Sequence, residues 1–357
     1  MTAPARPLLA RFAVRPLERA DLVEVSRLFA RALAPTRSGD AQQAAWFART
    51  LLDHPWADPE IPSLVCEAPD GRIVGFIGAA TRRMRVAGRP VRAAWAAHLS
   101  TDPDLASGAP GGLLLRRFLA GPQDLSVGDT ASVRVREMWE AAGGATDDAA
   151  SIAWFAPFRR VRAGLSLTGG LGPWGRRLAP LASAARRLPV RVGEPALPDG
   201  VRCERLTPAA MVAALPDLSA DRALVADYDE AYLAWLLAAA AEEPPGGLTA
   251  RMVLRGDRPV GWYVLRPVRG GMTTVLEVQA RDRDMDDVVG AMFADARAAG
   301  AAGIRGRLDP GMLEPVAARG SLFHPVYRVI VHSRDPDVLH AVHGRRAALS
   351  RLLGEWW

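Results

Sequence analysis

The chain contains no lysine and no asparagine, and the first absence excludes one class of nucleotide site. A phosphate-binding loop of the Walker type ends in Gly-Lys-Ser or Gly-Lys-Thr, so no such loop can be present. Cysteine is also scarce, with Cys66 and Cys203 as the two examples among 357 residues. Neither a disulfide framework nor a cysteine-rich zinc site is expected, and we predict that no metal is bound.

Long apolar runs are missing as well. The longest, residues 231–241, is about half of what a membrane-spanning helix needs. The first 14 residues hold no apolar stretch long enough for the core of a secretory signal. We therefore expect a cytoplasmic protein with no membrane partner.

All positive charge comes from arginine: 45 basic residues stand against 39 acidic ones, a net charge of +6. The arginines are scattered among acids and form no single block, so a nucleic-acid partner is not expected. Hydrophobic residues make up 49% and charged residues 24%, a balance typical of globular proteins. A chain of this length and composition predicts two domains.

The apolar pattern predicts one order of elements twice. The first half reads as strand, helix, three strands, helix, strand, helix and strand, and the plan recurs after residue 200. Residues 161–199, rich in Gly, Pro and Arg, predict a linker. The predicted fold class is α/β, with domains at 1–160 and 200–357, each a mixed, mostly antiparallel sheet flanked by helices.

Residues 99–115 lead from a strand through a glycine-containing turn into an apolar helix. Amides at the start of a helix favour an anion, and glycine lets a ligand approach the backbone closely. This stretch, together with Met-Trp-Glu-Ala-Ala-Gly-Gly at 138–144, resembles the GNAT superfamily of coenzyme A-dependent N-acetyltransferases. The resemblance implies acetyl-CoA as co-substrate, bound by Leu99, Ser100, Thr101, Gly108, Ala109, Gly111, Gly112, Leu113 and Arg116.

The sequence departs from the family pattern at three positions. Ala106 stands where the family has Gln or Arg, and Pro110 removes a backbone donor from the loop. Trp139 stands where a tyrosine often protonates the leaving thiolate, and an indole N–H cannot act as an acid near neutral pH. Three functions therefore stay open: direct acetyl transfer to an amine of a small molecule or protein, a non-catalytic GNAT-like binding or scaffold protein, or transfer of an aminoacyl or other acyl group by a tandem domain of the same shape.

Two residues are candidates for proton transfer. His98 lies on the strand before the loop, and imidazole titrates near working pH; the alternative is a structural histidine. Glu277 alternates with apolar residues on a strand of the second half, so a buried carboxylate is expected. It would either receive the acceptor amine or form an ion pair with Arg305 or Arg307.

The second half lacks the features of a coenzyme site. Its corresponding turn, residues 281–287, has no glycine and carries four acids that would repel a pyrophosphate. We predict that this domain does not bind coenzyme A. The apolar C-terminal residues 352–357 are expected to pack on it.

A second glycine motif has the spacing of a dinucleotide-binding loop. Gly170, Gly172 and Gly175 have the G-x-G-x-x-G spacing, with Glu194 near the expected acid position. Pro173 lies inside the turn and no parallel-strand pattern surrounds it, so no such site is expected.

Overall fold

A computed structural model describes residues 12–33, 39–105, 108–148, 150–158, 197–243, 246–325 and 329–354. The chain divides into two compact units. The first consists of Met1–Asp147 and Arg328–His340, the second of Asp148–Tyr327 and Ala341–Trp357. The glycine motif at 170–175 lies outside the described residues.

The described residues contain fifteen strands. They are β1 (Ala13–Pro16), β2 (Leu64–Glu67), β3 (Ile73–Val86), β4 (Arg89–Thr101), β5 (Leu125–Gly128), β6 (Ala145–Asp147), β7 (Ile152–Pro157), β8 (Val201–Arg205), β9 (Leu224–Ala226), β10 (Thr249–Arg255), β11 (Arg258–Arg266), β12 (Met272–Ala280), β13 (Gly303–Arg307), β14 (Leu322–Pro325) and β15 (Val329–Ser333).

The same parts of the chain contain nine α-helices. They are α1 (Leu22–Leu33), α2 (Asp40–Phe47), α3 (Ala109–Leu119), α4 (Val133–Ala141), α5 (Pro208–Leu218), α6 (Glu230–Glu242), α7 (Met285–Ala298), α8 (Leu313–Ala318) and α9 (Pro336–His343). None of the helices in these described ranges has the length and apolar character that crossing a bilayer requires.

Each unit is built on one mixed sheet flanked by helices, which confirms the predicted fold class. The first unit has the strand order β1-β2-β3-β4-β5-β15-β6, and the second has β14-β7-β13-β12-β11-β10-β8. Neighbours are antiparallel except β4 with β5 in the first sheet and β12 with β13 in the second. Both sheets therefore contain one parallel pair near their centre.

Local sequence explains the entry to the first sheet. Leu22, Val25 and Leu28 recur at helical spacing and form the buried face of α1. The Asp70-Gly71 turn joins β2 to β3 as an antiparallel hairpin, as the sequence predicts. Gly71 has a φ of +83°, a conformation that a residue with a Cβ seldom adopts.

Two strands lie in sheets that the order of the sequence does not indicate. β7 comes from the end of the first half, yet it pairs with β13 and β14. β15 comes from the second half and pairs with β5 and β6. An alternating apolar pattern predicts a strand but not its partner, which depends on which sheet edge is open. The contiguous domains 1–160 and 200–357, with their linker at 161–199, stay a sequence-based prediction.

The two cores are separate sets of buried side chains. In the first unit Leu114, Phe118 and Trp139 pack with the inner faces of β2, β3 and β4. In the second unit the apolar face of α7, including Met292 and Phe293, packs with residues of β7, β11 and β12. Cys66 is buried and Cys203 half-buried, and both are free thiols.

Candidate functional site

The first sheet opens between its two parallel strands. β4 and β5 pair at Ala93–Leu125, Ala94–Ser126 and Trp95–Val127, whereas β4 continues to Thr101. The pairing of β4 with β3 shifts register opposite Phe76–Gly78, which is typical of a β-bulge. A bulge bends its strand and changes the direction of the residues that follow. Residues 96–101 thus extend past the paired region and offer backbone groups to a ligand.

Helix α3 begins at Ala109, directly after this part of β4 and a short loop. The sequence predicts a turn over residues 108–112, but Gly111 and Gly112 already lie in the first helical turn. Gly108 is the N-cap and supplies no side-chain cap, and the first turn contains no acid. The first amides of a helix lack acceptors within the helix, and Pro110 has no amide hydrogen to donate. The amides of Gly108 and Gly111 therefore have no acceptor within α3.

Close packing explains why the start of α3 uses glycine. A Cβ added to Gly111 would stand 3.3 Å from Thr101 Cγ2 and 3.9 Å from Met138 Cε. A Cβ at Gly108 would overlap the guanidinium of Arg134, which comes from the first turn of α4. The helix start therefore has a strand end on one side and an arginine on the other.

The other predicted coenzyme residues lie around this helix start. Ser100 is buried, Leu99 and Leu113 are half-buried, and Arg116 is exposed on α3. The structure thus brings the strand end 99–101 and the helix start 108–113 into one region. Their role in binding stays a prediction.

His98 lies at the bulge of β4, and its ring is enclosed by aromatic side chains. The ring centroids of Phe29 and Phe47 are 5.2 and 5.3 Å from that of His98, and the residue is 8% exposed. Its φ of +57° is unusual for a residue other than glycine, and its carbonyl accepts a 2.6 Å hydrogen bond from Ser100 Oγ. These contacts give His98 a structural role at the bulge, and its role as a base stays a prediction.

Two polar residues near the opening were missed by sequence reasoning. Asp129 follows β5 directly, two residues past the last paired residue Val127, and is 3% exposed. An acid just after a parallel strand is a recognisable signal, since ligands bind at the carboxyl ends of such strands. Arg134 had no signal, because its place beside Gly108 depends on how α4 packs.

Trp139 is part of the core and not of a surface site. It is 1% exposed, and its ring centroid lies 6.3 Å from that of Phe118. A Cβ on Gly144 would overlap the indole, so the Gly-Gly ending of this segment makes room for the ring. Trp139 is therefore a packing residue of the first core.

The second sheet opens in the same way. β12 pairs with β13 only from Met272 to Thr274 and then continues to Ala280, with a register shift against β11 between Val264 and Leu265. Glu277 lies in this unpaired part and is 4% exposed. It lines, together with Gln279, a cavity of about 20 Å³. That volume is space for about one water molecule.

Glu277 is held by three donors. Tyr228 OH and Ser350 Oγ donate to Oε2 over 2.9 and 3.2 Å, and Trp262 Nε1 donates to Oε1 over 3.2 Å. Burial raises the pKa of Glu277 to about 7, although these three hydrogen bonds act in the opposite direction. The expected ion pair with Arg305 or Arg307 is wrong: Glu277 has neutral partners.

Those two arginines are directed elsewhere. Arg305 Nε donates to Thr274 Oγ1 over 3.3 Å, and Arg307 Nε lies 3.9 Å from Asp309 Oδ1. Burial raises the pKa of Asp309 to about 6, whereas Arg307 and Arg222 lower it. The catalytic role of Glu277 stays a prediction.

The start of α7 in the second unit differs from that of α3. Each of its acids has an arginine partner: Asp282 with Arg222 at 2.6 Å, Asp284 with Arg258 at 2.9 Å, Asp286 with Arg319 at 2.5 Å and Asp287 with Arg255 at 2.6 Å. The acids are therefore neutralised in pairs. Asp284 is the N-cap of α7 and Asp286 and Asp287 lie in its first turn, so the negative charge there disfavours an external anion.

Comparison with known proteins identifies the fold. No model of a known protein family matches the chain, and the search of curated proteins finds no significant match. Among solved structures, a GCN5-related N-acetyltransferase from Kribbella flavida matches with a TM-score of 0.58 and 15% identity, over 92% of this chain and 73% of that one.

Two further structures extend the likeness. A probable N-acyltransferase from Enterococcus faecalis matches with a TM-score of 0.58 and 11% identity, over 90% of this chain and 72% of that one. The N-myristoyltransferase of Saccharomyces cerevisiae, solved with bound myristoyl-CoA, matches with a TM-score of 0.53 and 12% identity, over 91% of this chain and 83% of that one. The chain thus has the fold of GCN5-related N-acetyltransferases, with two GNAT-like domains in tandem.

Proposed function

We propose that the protein is an acyltransferase that binds acetyl-CoA in its first unit and transfers the acetyl group directly to an amine. The observation that supports this most is the opening between β4 and β5, followed by a helix start without an acid or a side-chain cap. The fold neighbours support acyl transfer as the class of reaction. The acceptor is an amine of a small molecule or a protein.

The first unit has the chemical groups that a coenzyme A diphosphate needs. The amides of Gly108 and Gly111 at the start of α3 and the guanidinium of Arg134 beside Gly108 would bind the phosphates through charge-assisted hydrogen bonds. The absent Cβ atoms of Gly108 and Gly111 let Arg134 and Thr101 pack close to the helix start. In the second unit, paired carboxylates occupy the equivalent helix start, so we assign one coenzyme site to each chain.

Backbone groups and one acid of this chain would promote the reaction. Acetyl-CoA supplies an activated thioester. The amides of residues 99–101 would polarise the acyl carbonyl. The amine nitrogen would then bond to the acyl carbon, and the sulfur would leave as the thiolate of coenzyme A. Asp129, buried at the end of β5, would accept the proton that the amine loses, with His98 as the other candidate base.

Titration calorimetry with acetyl-CoA and with free coenzyme A tests the binding step. We expect one site per chain. Arg134→Gln should weaken binding roughly tenfold, because a charge-assisted hydrogen bond is lost. Arg85→Gln is the matched control, since Arg85 is an exposed arginine of the same unit that bonds to Gly88 at the β3–β4 turn.

Gly111→Leu tests the helix start itself. Its side chain would meet Thr101 and fill the approach to the backbone, so acetyl-CoA should no longer bind to a protein that circular dichroism shows to be folded. If folded wild-type protein binds neither acetyl-CoA nor coenzyme A, the proposal fails and the non-catalytic scaffold becomes the better interpretation.

Release of coenzyme A thiol in the presence of polyamines, amino sugars and peptides with free N-termini tests the transfer step. Asp129→Asn should lower kcat at unchanged acetyl-CoA affinity, and His98→Gln should do so only if His98 is the base. A wild-type rate for Asp129→Asn would remove Asp129 from the mechanism.

A further inference from the structure

The opening in the second sheet is filled by the chain itself. Residues 346–353, called the C-terminal segment below, first run beside Leu224 of β9. Ala223 N and Leu224 N donate to the carbonyl of Arg346 over 2.7 and 3.2 Å, and Ala348 N donates to the carbonyl of Leu224 over 2.8 Å. Leu224 and Ala347 form a parallel bridge.

The C-terminal segment then reaches the unpaired part of β12. Leu352 N donates to the carbonyl of Leu276 over 2.8 Å, two residues past the last β12 residue paired with β13. Beyond Thr274 β13 no longer pairs with β12. Leu352 N therefore satisfies the carbonyl of Leu276, which a neighbouring strand would otherwise satisfy. An unpaired buried carbonyl costs free energy, so this hydrogen bond stabilises the C-terminal segment in its position beside β12.

Side chains of the C-terminal segment complete the contact. Leu349, Leu352 and Leu353 are 4%, 0% and 1% exposed. Ser350 Oγ donates to Glu277 Oε2, and Ser350 and Leu353 both line the cavity that contains Glu277. The segment therefore supplies a main-chain hydrogen bond to β12, a hydroxyl group to Glu277 and apolar side chains that cover the cavity.

We propose that the opening between β12 and β13 is a peptide-binding cleft whose occupant is the chain's own C-terminal segment, and that Glu277 makes its attachment depend on protons. With the segment in place, Glu277 lies in a cavity with space for about one water molecule, which is less than the hydration shell of a carboxylate. Release of the segment admits water to the carboxylate. Protonation of Glu277 therefore favours the closed form, in which the segment occupies the opening between β12 and β13. Loss of that proton favours release of the segment.

The groups around Glu277 set the size of this effect. Tyr228, Trp262 and Ser350 donate to it, and Asp309, after β13, adds a negative charge that Arg307 and Arg222 partly compensate. The pKa of Glu277 is about 7 in the closed form, against an ordinary value of 4.5. If release restores the ordinary value, the equilibrium constant for release of the segment rises by at most about 300-fold from well below pH 4.5 to well above pH 7.

Amide hydrogen exchange of the full chain tests the proposal, with peptides that cover residues 346–354 read by mass spectrometry between pH 5 and 8. After correction for the intrinsic exchange rate, the equilibrium constant for release of the segment should rise steeply with pH in the wild type. It should rise much less in Glu277→Gln, where Asp309 is the titrating group that remains at the same cavity. Ser350→Ala should increase the equilibrium constant for release of the segment roughly tenfold at pH 8, because the hydrogen bond from Ser350 to an ionised carboxylate is lost.

Ser219→Ala is the matched control. Its hydroxyl also lies in the second unit, but it bonds to the carbonyl of Leu215 in its own helix. Equal pH profiles for wild type and Glu277→Gln, or equal protection in Ser350→Ala and Ser219→Ala, would each overturn the proposal. Because exchange is read without acetyl-CoA, its outcome is independent of whether the proposed transferase activity is found.

Discussion

Replacing Glu277 with glutamine should change how the stability of the second unit depends on pH. The folded state raises the pKa of this carboxyl from 4.5 to about 7, so between these values the folded form binds more protons than the unfolded form. Stability from this group is fully present below pH 4.5 and is lost as pH rises to 7. The loss amounts to about 3 kcal/mol, since one pKa unit corresponds to about 1.4 kcal/mol.

The measurement is urea unfolding at several pH values, followed by hydrogen exchange of peptides from β12. Glu277→Gln keeps the shape of the side chain but cannot ionise. The variant should equal the wild type near pH 4.5 and exceed it by about 3 kcal/mol at pH 8. Other titrating groups, such as Asp309, are present in both proteins, so the difference isolates Glu277. Parallel stability curves across this range would refute the burial argument.

Three further changes test the packing and electrostatics of the fold. Gly144→Ala should destabilise the first unit by about 1–3 kcal/mol in urea unfolding, because its Cβ overlaps Trp139. The loss should exceed that of Gly112→Ala, whose Cβ meets only Met138 Cε at 4.0 Å. Burial lowers the pKa of His54 to about 3, so first-unit stability should fall as pH drops from 6.5 towards 3, and His54→Gln should remove that fall. Asp229→Ala, which removes the N-cap of α6, should cost about 1 kcal/mol, measured by thermal unfolding against wild type.

Several features of the fold could be predicted because their causes are local. The helical spacing of Leu22, Val25 and Leu28 defines α1, and Asp70-Gly71 defines the β2–β3 hairpin. Asp229 stands directly before an apolar run, the position typical of an N-cap, and it caps α6 by accepting a hydrogen bond from Tyr232 N over 2.7 Å. Such signals depend on neighbours within about four residues, which any single sequence displays.

The candidate site was predictable in its outline only. The strand and glycines from residue 99 to 115 indicated the region, since a helix start attracts anions wherever it occurs. Its partners across the fold were not predictable. Arg134 lies beside Gly108 because α4 packs there, and Glu277 has Tyr228, Trp262 and Ser350 as partners in place of an arginine.

The sequence by itself determined the class of fold, the general position of the first opening at residues 99–115 and the burial of an acid on β12, because apolar periodicity and turn residues act at short range. Only the tertiary structure decided which sheet receives β7 and β15, since a strand pairs with whichever edge is open. It also decided that residues 346–353 fill the second opening. Hydrogen-bond partners separated by dozens of residues, such as Leu276 and Leu352, are chosen by three-dimensional packing and leave no pattern in the chain.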